Sequence, residues 1–382
     1  MTYLLLAMAA AAFAYQAMAL VAALRHLWRR ERPSGFAPPV SILKPVHGLD
    51  PHFYDCIRSH AVQDYPDFEI LFGVSDPADP AIPEIQRLAA EFPERRIRLL
   101  FISSQALNGK VGLLADLASA ARHAVLLVND SDIRVPADYL RRVVAPLEDP
   151  QVGVVTCLYR AQAQGWPGRL ETVGIATDFT PGVLVAPLVG VSEFALGATL
   201  VFRAADLERA GGFAAIANYL ADDYQLSRRI RDLGRKVVLS KLVVETWLGD
   251  RTWVEVWRHQ LRWARTIRFS RGGGYKGLIV TQATLWSLAL AASGSWWPAA
   301  ALFAMRVASG LAVAVALEDR RTLRDFFLVP LRDLWSTALW IAGLFGAEVE
   351  WRGLRLRLDR EGRIVRVQEP GAVTRVPVEP SG

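Results

Sequence analysis

Long uncharged runs mark the two ends of the chain, and short alternating blocks fill its middle. Tyr3 to Leu24 is a 22-residue run whose strongly polar member is Gln16. As a helix rising about 1.5 Å per residue it would extend about 33 Å, enough to cross a hydrocarbon core of about 30 Å. No Lys or Arg precedes the run, whereas Arg25, His26, Arg29, Arg30 and Arg32 follow it. These flanks predict an uncleaved anchor over residues 1–25 rather than a signal peptide, with Arg25 onward cytoplasmic. Near the other end, Leu278 to Trp297 and Pro298 to Leu317 are two runs of 20 residues joined through Ser293-Gly294-Ser295. They predict a transmembrane helical hairpin, 278–317, with Trp296 and Trp297 at its outer tip. Arg306 falls mid-span, where a charge implies a pairing partner or a function. The next segment, 326–349, is long enough to cross, but Pro330, Arg332 and Asp333 interrupt it. A re-entrant or interfacial course is favoured over a third C-terminal crossing, with Arg332 and Asp333 paired to each other. Residues 350–382 read as a basic cytoplasmic tail, loose from Glu369 onward.

Between the ends, residues 38–270 read as one cytoplasmic domain of alternating strands and helices. Strands are predicted at Val40–Lys44, Phe68–Val74, Ile97–Ile102 and Ala124–Asn129, and helices at Asp50–Gln63, Ile82–Phe92 and Gly109–Arg122. Continuous apolar strands separated by helices of 10–14 residues indicate a mostly parallel sheet covered on both faces, an α/β Rossmann-like fold. In such sheets ligands lie beyond the carboxyl ends of the strands. The second strand ends in Ser75-Asp76-Pro77-Ala78-Asp79 and the fourth in Asn129-Asp130-Ser131-Asp132, so carboxylates fall where a ligand is expected.

Composition narrows the partners. Charged residues make up 21% of the 382 positions and hydrophobic ones 52%, less charged than the roughly 25% of a soluble domain. The net charge of +6 suits an anionic partner, and the apolar excess favours a membrane over nucleic acid. Cys56 and Cys157 form no framework or metal pattern. The absence of G-x-G-x-x-G, G-x-x-x-x-G-K-[ST] and G-x-S-x-G removes support for dinucleotide, P-loop and serine-triad chemistry, and six scattered histidines remove it for zinc catalysis.

The remaining candidates are acidic and basic. Asp130 and Asp132, at alternate positions past a buried strand, can share one hard divalent cation, although an Asp-x-Asp turn is also common as a solvated loop. Asp222 and Asp223 open a helix. Adjacent helical residues point about 100° apart, so one of the two can face a site while both complement the helix dipole. Lys110 opens the third helix, where an anion would be stabilised. Arg258 to Arg265 is a basic aromatic helix near the membrane hairpin. It suits anionic headgroups, or a site in which Arg262 and Trp263 present a cation and a flat ring.

Together these stretches resemble a membrane-anchored GT-A glycosyltransferase of the inverting family 2 type, and more closely the ceramide glucosyltransferase family with its bacterial hopanoid-biosynthesis-associated branch. The resemblance runs from about Pro38 to Arg357. It is carried by Val40-Ser-Ile-Leu-Lys-Pro45, Gln63-Asp-Tyr-Pro66, Val74 to Pro80, Asp130 to Val135, Gly211-Gly-Phe213, Leu220-Ala-Asp-Asp-Tyr224 and Arg262-Trp263. It implies a UDP-sugar donor, a membrane-lipid acceptor (hopanoid or ceramide type), Mg²⁺ or Mn²⁺ as cofactor, and residence in the cell inner membrane. By the same resemblance Asp76 is expected near the uracil and ribose, Asp130 and Asp132 at the metal and diphosphate, and Asp223 as the catalytic base. Arg262-Trp263 matches the end of the family's Q/R-x-x-R-W motif. His259 stands where that motif has Gln or Arg, a departure similar to the hopanoid-type members. A polysaccharide synthase, a polyprenyl-phosphate sugar transferase and a membrane-anchored scaffold are the competing readings.

Overall fold

The computed structural model describes residues 2–31, 34–192, 194–271, 273–369 and 372–373. Arg32 of the basic flank and most of the expected loose end after Glu369 lie outside the described residues. The chain divides into two compact units: residues 30–161 with 192–249, and residues 1–29 with 162–191 and 250–382.

The first unit is built on an eight-stranded sheet. Its strands are β1 (Val40–Pro45), β2 (Phe68–Val74), β3 (Arg96–Phe101), β4 (Val125–Val128), β5 (Ile133–Arg134), β6 (Val152–Gln164), β7 (Leu200–Arg203) and β8 (Lys236–Asp250), in the order β3-β2-β1-β4-β7-β6-β8-β5. β3, β2, β1 and β4 run parallel, and β4 pairs antiparallel with β7. The mostly parallel α/β sheet read from the apolar runs is therefore present. Side-chain alternation along the strands explains why it is covered twice. Ile42, Ile70, Phe72 and Leu127 pack with Phe53, Ile57, Ile85 and Leu88 from two helices, Phe53–Ala61 and Ile82–Glu91. Their neighbours Leu43, Leu71, Leu126 and Val128 pack with Val111, Leu114 and Leu117 of the helix Gly109–Ala120. A period of two sends successive residues to opposite faces, and both faces are apolar.

The second unit is helical and ends in a small antiparallel sheet. Among the described residues three helices are long and apolar enough to cross a membrane: Tyr3–Trp28, Gly165–Val189 and Trp296–Ala316. The second of these was not expected. Arg169, Glu171 and Asp178 mask its apolar character in the sequence, which kept it within the 38–270 stretch, yet it packs with the helical unit. The first arm of the 278–317 hairpin is a 3-10 turn at Leu278–Thr281 followed by a 10-residue helix, Ala283–Ala292. That helix rises only about 15 Å, half a hydrocarbon core. Val329–Gly343 is a 15-residue helix, about 22 Å long and likewise short of a full crossing.

Charge inside this unit is neutralised in pairs. Arg306 meets Asp333 in two bonds of 2.9 and 2.6 Å, and Thr284 donates to the same carboxylate. Arg332 instead reaches Asp178 at 3.1 Å and Gln260. The expected Arg332–Asp333 pair is thus replaced by two separate pairs. Adjacent residues on a helix point about 100° apart and meet different neighbours. The helix Gly165–Val189, hidden from the sequence reading, supplies the partner of Arg332. In the tail, Leu354, Leu356 and Leu358 turn inward while Arg355 and Arg357 face out, opposite Glu350 and Glu348 of the adjoining strand.

Removing one partner of a buried ion pair typically costs about 3–5 kcal/mol, and replacing both with apolar groups is close to neutral. Asp333→Asn should therefore lower the thermal unfolding midpoint in detergent sharply. The Arg306→Met/Asp333→Leu double variant should recover most of the loss; failure to recover would mean that the pair does more than neutralise charge.

Candidate functional site

Asp130 and Asp132 follow β4, and Asp76 follows β2, so these aspartates stand at the carboxyl ends of parallel strands. The helix Gly109–Ala120 starts under the control of Asn108. Its side chain accepts from the Val111 amide at 3.2 Å and donates to the Tyr219 carbonyl at 2.7 Å. This cap fixes Lys110 in the first turn. The Lys110 ammonium lies 2.8 Å from Asp130 Oδ1 and 3.1 Å from Asp222 Oδ2. Asp223 is held by two backbone amides: Gly197 donates to Oδ2 at 2.9 Å and Tyr224 to Oδ1 at 2.7 Å. A Cβ at Gly197 would sit 3.4 Å from Asp223 Oδ2, 3.6 Å from Asp130 Oδ2 and 3.7 Å from Lys110 Nζ. That glycine therefore borders the space shared by all three groups.

Asp222 and Asp223 both turn to this place, although a helix presents adjacent residues about 100° apart. The start of the helix Asp222–Asp232 permits it, because Asp223 folds back onto the backbone while Asp222 extends to Lys110. Asp132, close enough to Asp130 to feel its charge, accepts the Thr246 hydroxyl at 2.6 Å. Asp50 accepts from Ser131 at 2.5 Å, between the two aspartates, and the buried Lys44 ammonium donates to the Asp130 carbonyl at 3.2 Å. Asp76 is exposed and accepts the Ala78 amide at 2.8 Å in a local turn, with no described contact to the Lys110 group. Sequence reading passed over Asp222 as a partner for Lys110, and over Lys44, Asp50, Thr246 and Gly197. A lysine inside an apolar strand between two prolines was the available signal for Lys44.

The electrostatics follow from burial and crowding. Burial, then the neighbouring Asp222, pushes the Asp223 carboxyl up to about 6, against the pull of Lys110. Burial and the charge of Asp130 push Asp132 up to about 6 as well. Burial alone would lower Lys110, but Asp130 and Asp222 hold it above its ordinary value, so it stays a cation. Burial lowers Lys44 to about 8.

Two carboxylates spaced by one residue, with hard oxygen donors and a glycine next to Asp130, suit a divalent cation that draws its other ligands from phosphate and water. Among the described residues no group of three or more His, Cys, Asp or Glu side chains is arranged to hold an ion unaided. The donor set therefore fits an ion that arrives with a phosphorylated ligand rather than a resident structural metal.

His259, Arg262 and Trp263 belong to the other unit, on the helix Trp253–Arg271. There His259 Nδ1 lies 2.5 Å from Glu171, whose carboxylate also takes Arg251 at 3.2 Å. Trp263 stands with its ring centroid 4.7 Å from His259 and 5.8 Å from Phe179. Burial lowers His259 below its usual range, and Glu171 opposes that shift. Glu171 was not anticipated, because its helix read as part of the soluble domain.

Comparison with known proteins adds a lineage to this geometry. The chain is 26% identical over 217 residues to ceramide glucosyltransferase 1 of Caenorhabditis elegans, a match covering 56% of this chain and 46% of the relative. It is 34% identical over 121 residues to the ceramide glucosyltransferase of Candida albicans, covering 28% and 22% respectively. The chain spans about half the length, or less, of these curated relatives. Among solved structures, a mannosyltransferase from Pyrobaculum calidifontis in complex with GDP-Man and Mn²⁺ shares the fold. The TM-score is 0.57 at 21% identity, over 89% of this chain and 96% of that one. Residues 4–364 match the model of glycosyl transferase family 21, and with nearly its whole length so matched, the chain belongs to that family.

Proposed function

We propose that the protein is a membrane glycosyltransferase that moves a hexose or N-acetylhexosamine from a UDP-sugar to a hydroxyl of a membrane lipid of the ceramide or hopanoid type. The observation that carries this reading is the convergence of Asp130, Asp222 and Asp223 on Lys110 at the strand ends. It combines one fixed cation with one carboxylate raised into the working range of a base, in a chain of family 21. Apolar helices long enough to cross a membrane are consistent with a lipid acceptor. The arginines that follow the first helix support a catalytic unit on the cytoplasmic side of the inner membrane.

In this mechanism Asp223 accepts the proton of the acceptor hydroxyl as its oxygen attacks C1 of the sugar. The pair of electrons on the C1–O bond leaves with the nucleoside diphosphate, and the configuration at C1 inverts. The amides of Gly197 and Tyr224 keep the Asp223 carboxylate in place, and Lys110 supplies positive charge near the leaving group. Asp130 and Asp132 are the residues that would hold Mg²⁺ or Mn²⁺, which when bound neutralises charge on the diphosphate. Asp76 is assigned to the nucleoside and, in the helical unit, Trp263 to the acceptor headgroup; Arg262 and His259 on the same helix are proposed as ligand-binding residues.

General-base catalysis typically contributes about 10²–10⁴-fold, so Asp223→Asn should retain at most about 1% of wild-type transfer with nucleotide binding intact. A protonated Asp223 accepts no proton, so kcat/KM of the wild type should fall as pH drops through about 6. A flat profile between pH 5 and 8 would remove Asp223 from this role. Excess EDTA should abolish transfer and added Mg²⁺ or Mn²⁺ should restore it; undiminished activity in EDTA would exclude the metal assignment.

A further inference from the structure

Within the helical unit the helix Gly165–Val189 is interrupted by a π-helical turn at Ile175–Phe179. Such turns insert one residue into the helical register and often mark functional places. This one is locked by Thr180, whose hydroxyl donates to the Ile175 carbonyl at 2.8 Å. It presents Asp178 and Phe179 side by side, both half-buried, in a segment otherwise buried around them.

Asp178 is anchored on one oxygen only. Arg332 donates to Oδ2 at 3.1 Å, and the Ser336 hydroxyl donates to the same atom. Among the described residues no hydrogen bond reaches Oδ1, and the side chain is 30% exposed. Its position is fixed from behind, because Arg332 is itself held by Gln260, which also accepts from Trp335 at 3.0 Å. Gln260 lies on the same helix as His259 and Trp263, and the Trp263 ring meets Phe179 at 5.8 Å. An ionised carboxylate only accepts hydrogen bonds. With Arg332 already balancing its charge, the open oxygen suits a neutral O–H donor and repels a phosphate.

We propose that this π-turn is a recognition site for the headgroup of a neutral hydroxylated lipid. Asp178 Oδ1 accepts a lipid hydroxyl, and the Phe179–Trp263 pair takes the apolar part next to it. The inference rests on the reading that the acceptor is a membrane lipid, and it makes Asp178 a specificity residue distinct from the base Asp223. A carboxylate in an apolar segment calls for such a role or a full set of partners, and among the described residues Asp178 has partners on one oxygen only.

The test is binding without any sugar nucleotide, so that it does not depend on catalysis. Full-length protein in detergent is titrated with short-chain ceramide and with a polyhydroxylated triterpene, each compared with its fully O-acetylated form. In Asp178→Asn the donors Arg332 and Ser336 keep the amide oxygen on their side. The NH₂ group then faces the ligand, a donor against a donor. We expect affinity for the free polyol to fall about tenfold or more with the acetylated form unaffected; the thermal unfolding midpoint should drop as well, because the buried Arg332 loses its charge partner, so affinity is compared on protein that is still folded. Phe179→Leu keeps the carboxylate and removes the ring; it should weaken both forms several-fold, and it decides the matter if Asp178→Asn fails to fold. Unchanged affinity in a folded Asp178→Asn overturns the proposal, as does unchanged affinity in Phe179→Leu, or a wild type that binds neither polyol. If wild-type protein transfers sugar to a lipid and Asp178→Asn does so with the same acceptor KM, this site is wrong while the proposed function stands. If wild type binds the polyol but transfers sugar to no lipid, the function is wrong and the site stands.

Discussion

Three carboxylates crowd one cation. Asp130, Asp222 and Asp223 come from two widely separated parts of the chain, and Lys110 stands between them. Two like charges about 4 Å apart repel by roughly 4 kcal/mol at an effective dielectric of 20, so the cluster forms only with a cation in it. The fold supplies that cation from a helix start fixed by Asn108, at the carboxyl end of the parallel strands. What remains after this balance is informative. Asp223 is still raised to about 6, the range in which a carboxylate exchanges a proton at ordinary pH.

The helical unit solves a related problem by pairing instead of clustering. Arg306 with Asp333, and Arg332 with Asp178, place four charges inside apolar surroundings, each ion beside one of opposite sign. Glycines make the room: a Cβ at Gly174 would collide with the Arg332 guanidinium at 2.1 Å. The two pairs differ in one respect. Asp333 spends both oxygens on Arg306, whereas no hydrogen bond among the described residues reaches the second oxygen of Asp178.

Much of the sheet was legible because its strands are apolar on both sides and bounded by Pro, Gly or Asp. The sequence reading had Phe68–Val74 with both ends right, and Val40–Lys44 fell one residue short. The aspartates past β2 and β4 were legible for the same reason, since a polar residue after a buried strand has to face something. Partner choice was not. Asp222 looked like a helix-dipole residue, and only the three-dimensional approach of two helix starts shows that it reaches Lys110. Gly165–Val189 was hidden because three charged side chains lower its apparent hydropathy, and each of them is matched by a partner far along the chain: Arg169 by Asp325, Glu171 by His259, Asp178 by Arg332. Local periodicity carries no information about such long-range pairs.

The central claim is transfer of a sugar to a lipid hydroxyl. Its most direct test is to incubate the purified full-length protein with radiolabelled UDP-glucose or UDP-N-acetylglucosamine, Mg²⁺ and detergent-dispersed ceramide or hopanoid polyol, and to examine the organic phase. A lipid glycosyltransferase yields label in an organic-soluble glycoside that survives mild acid and carries the inverted anomeric configuration by NMR. Label found only as free sugar, or in a product cleaved by mild acid as a sugar phosphodiester would be, would contradict it.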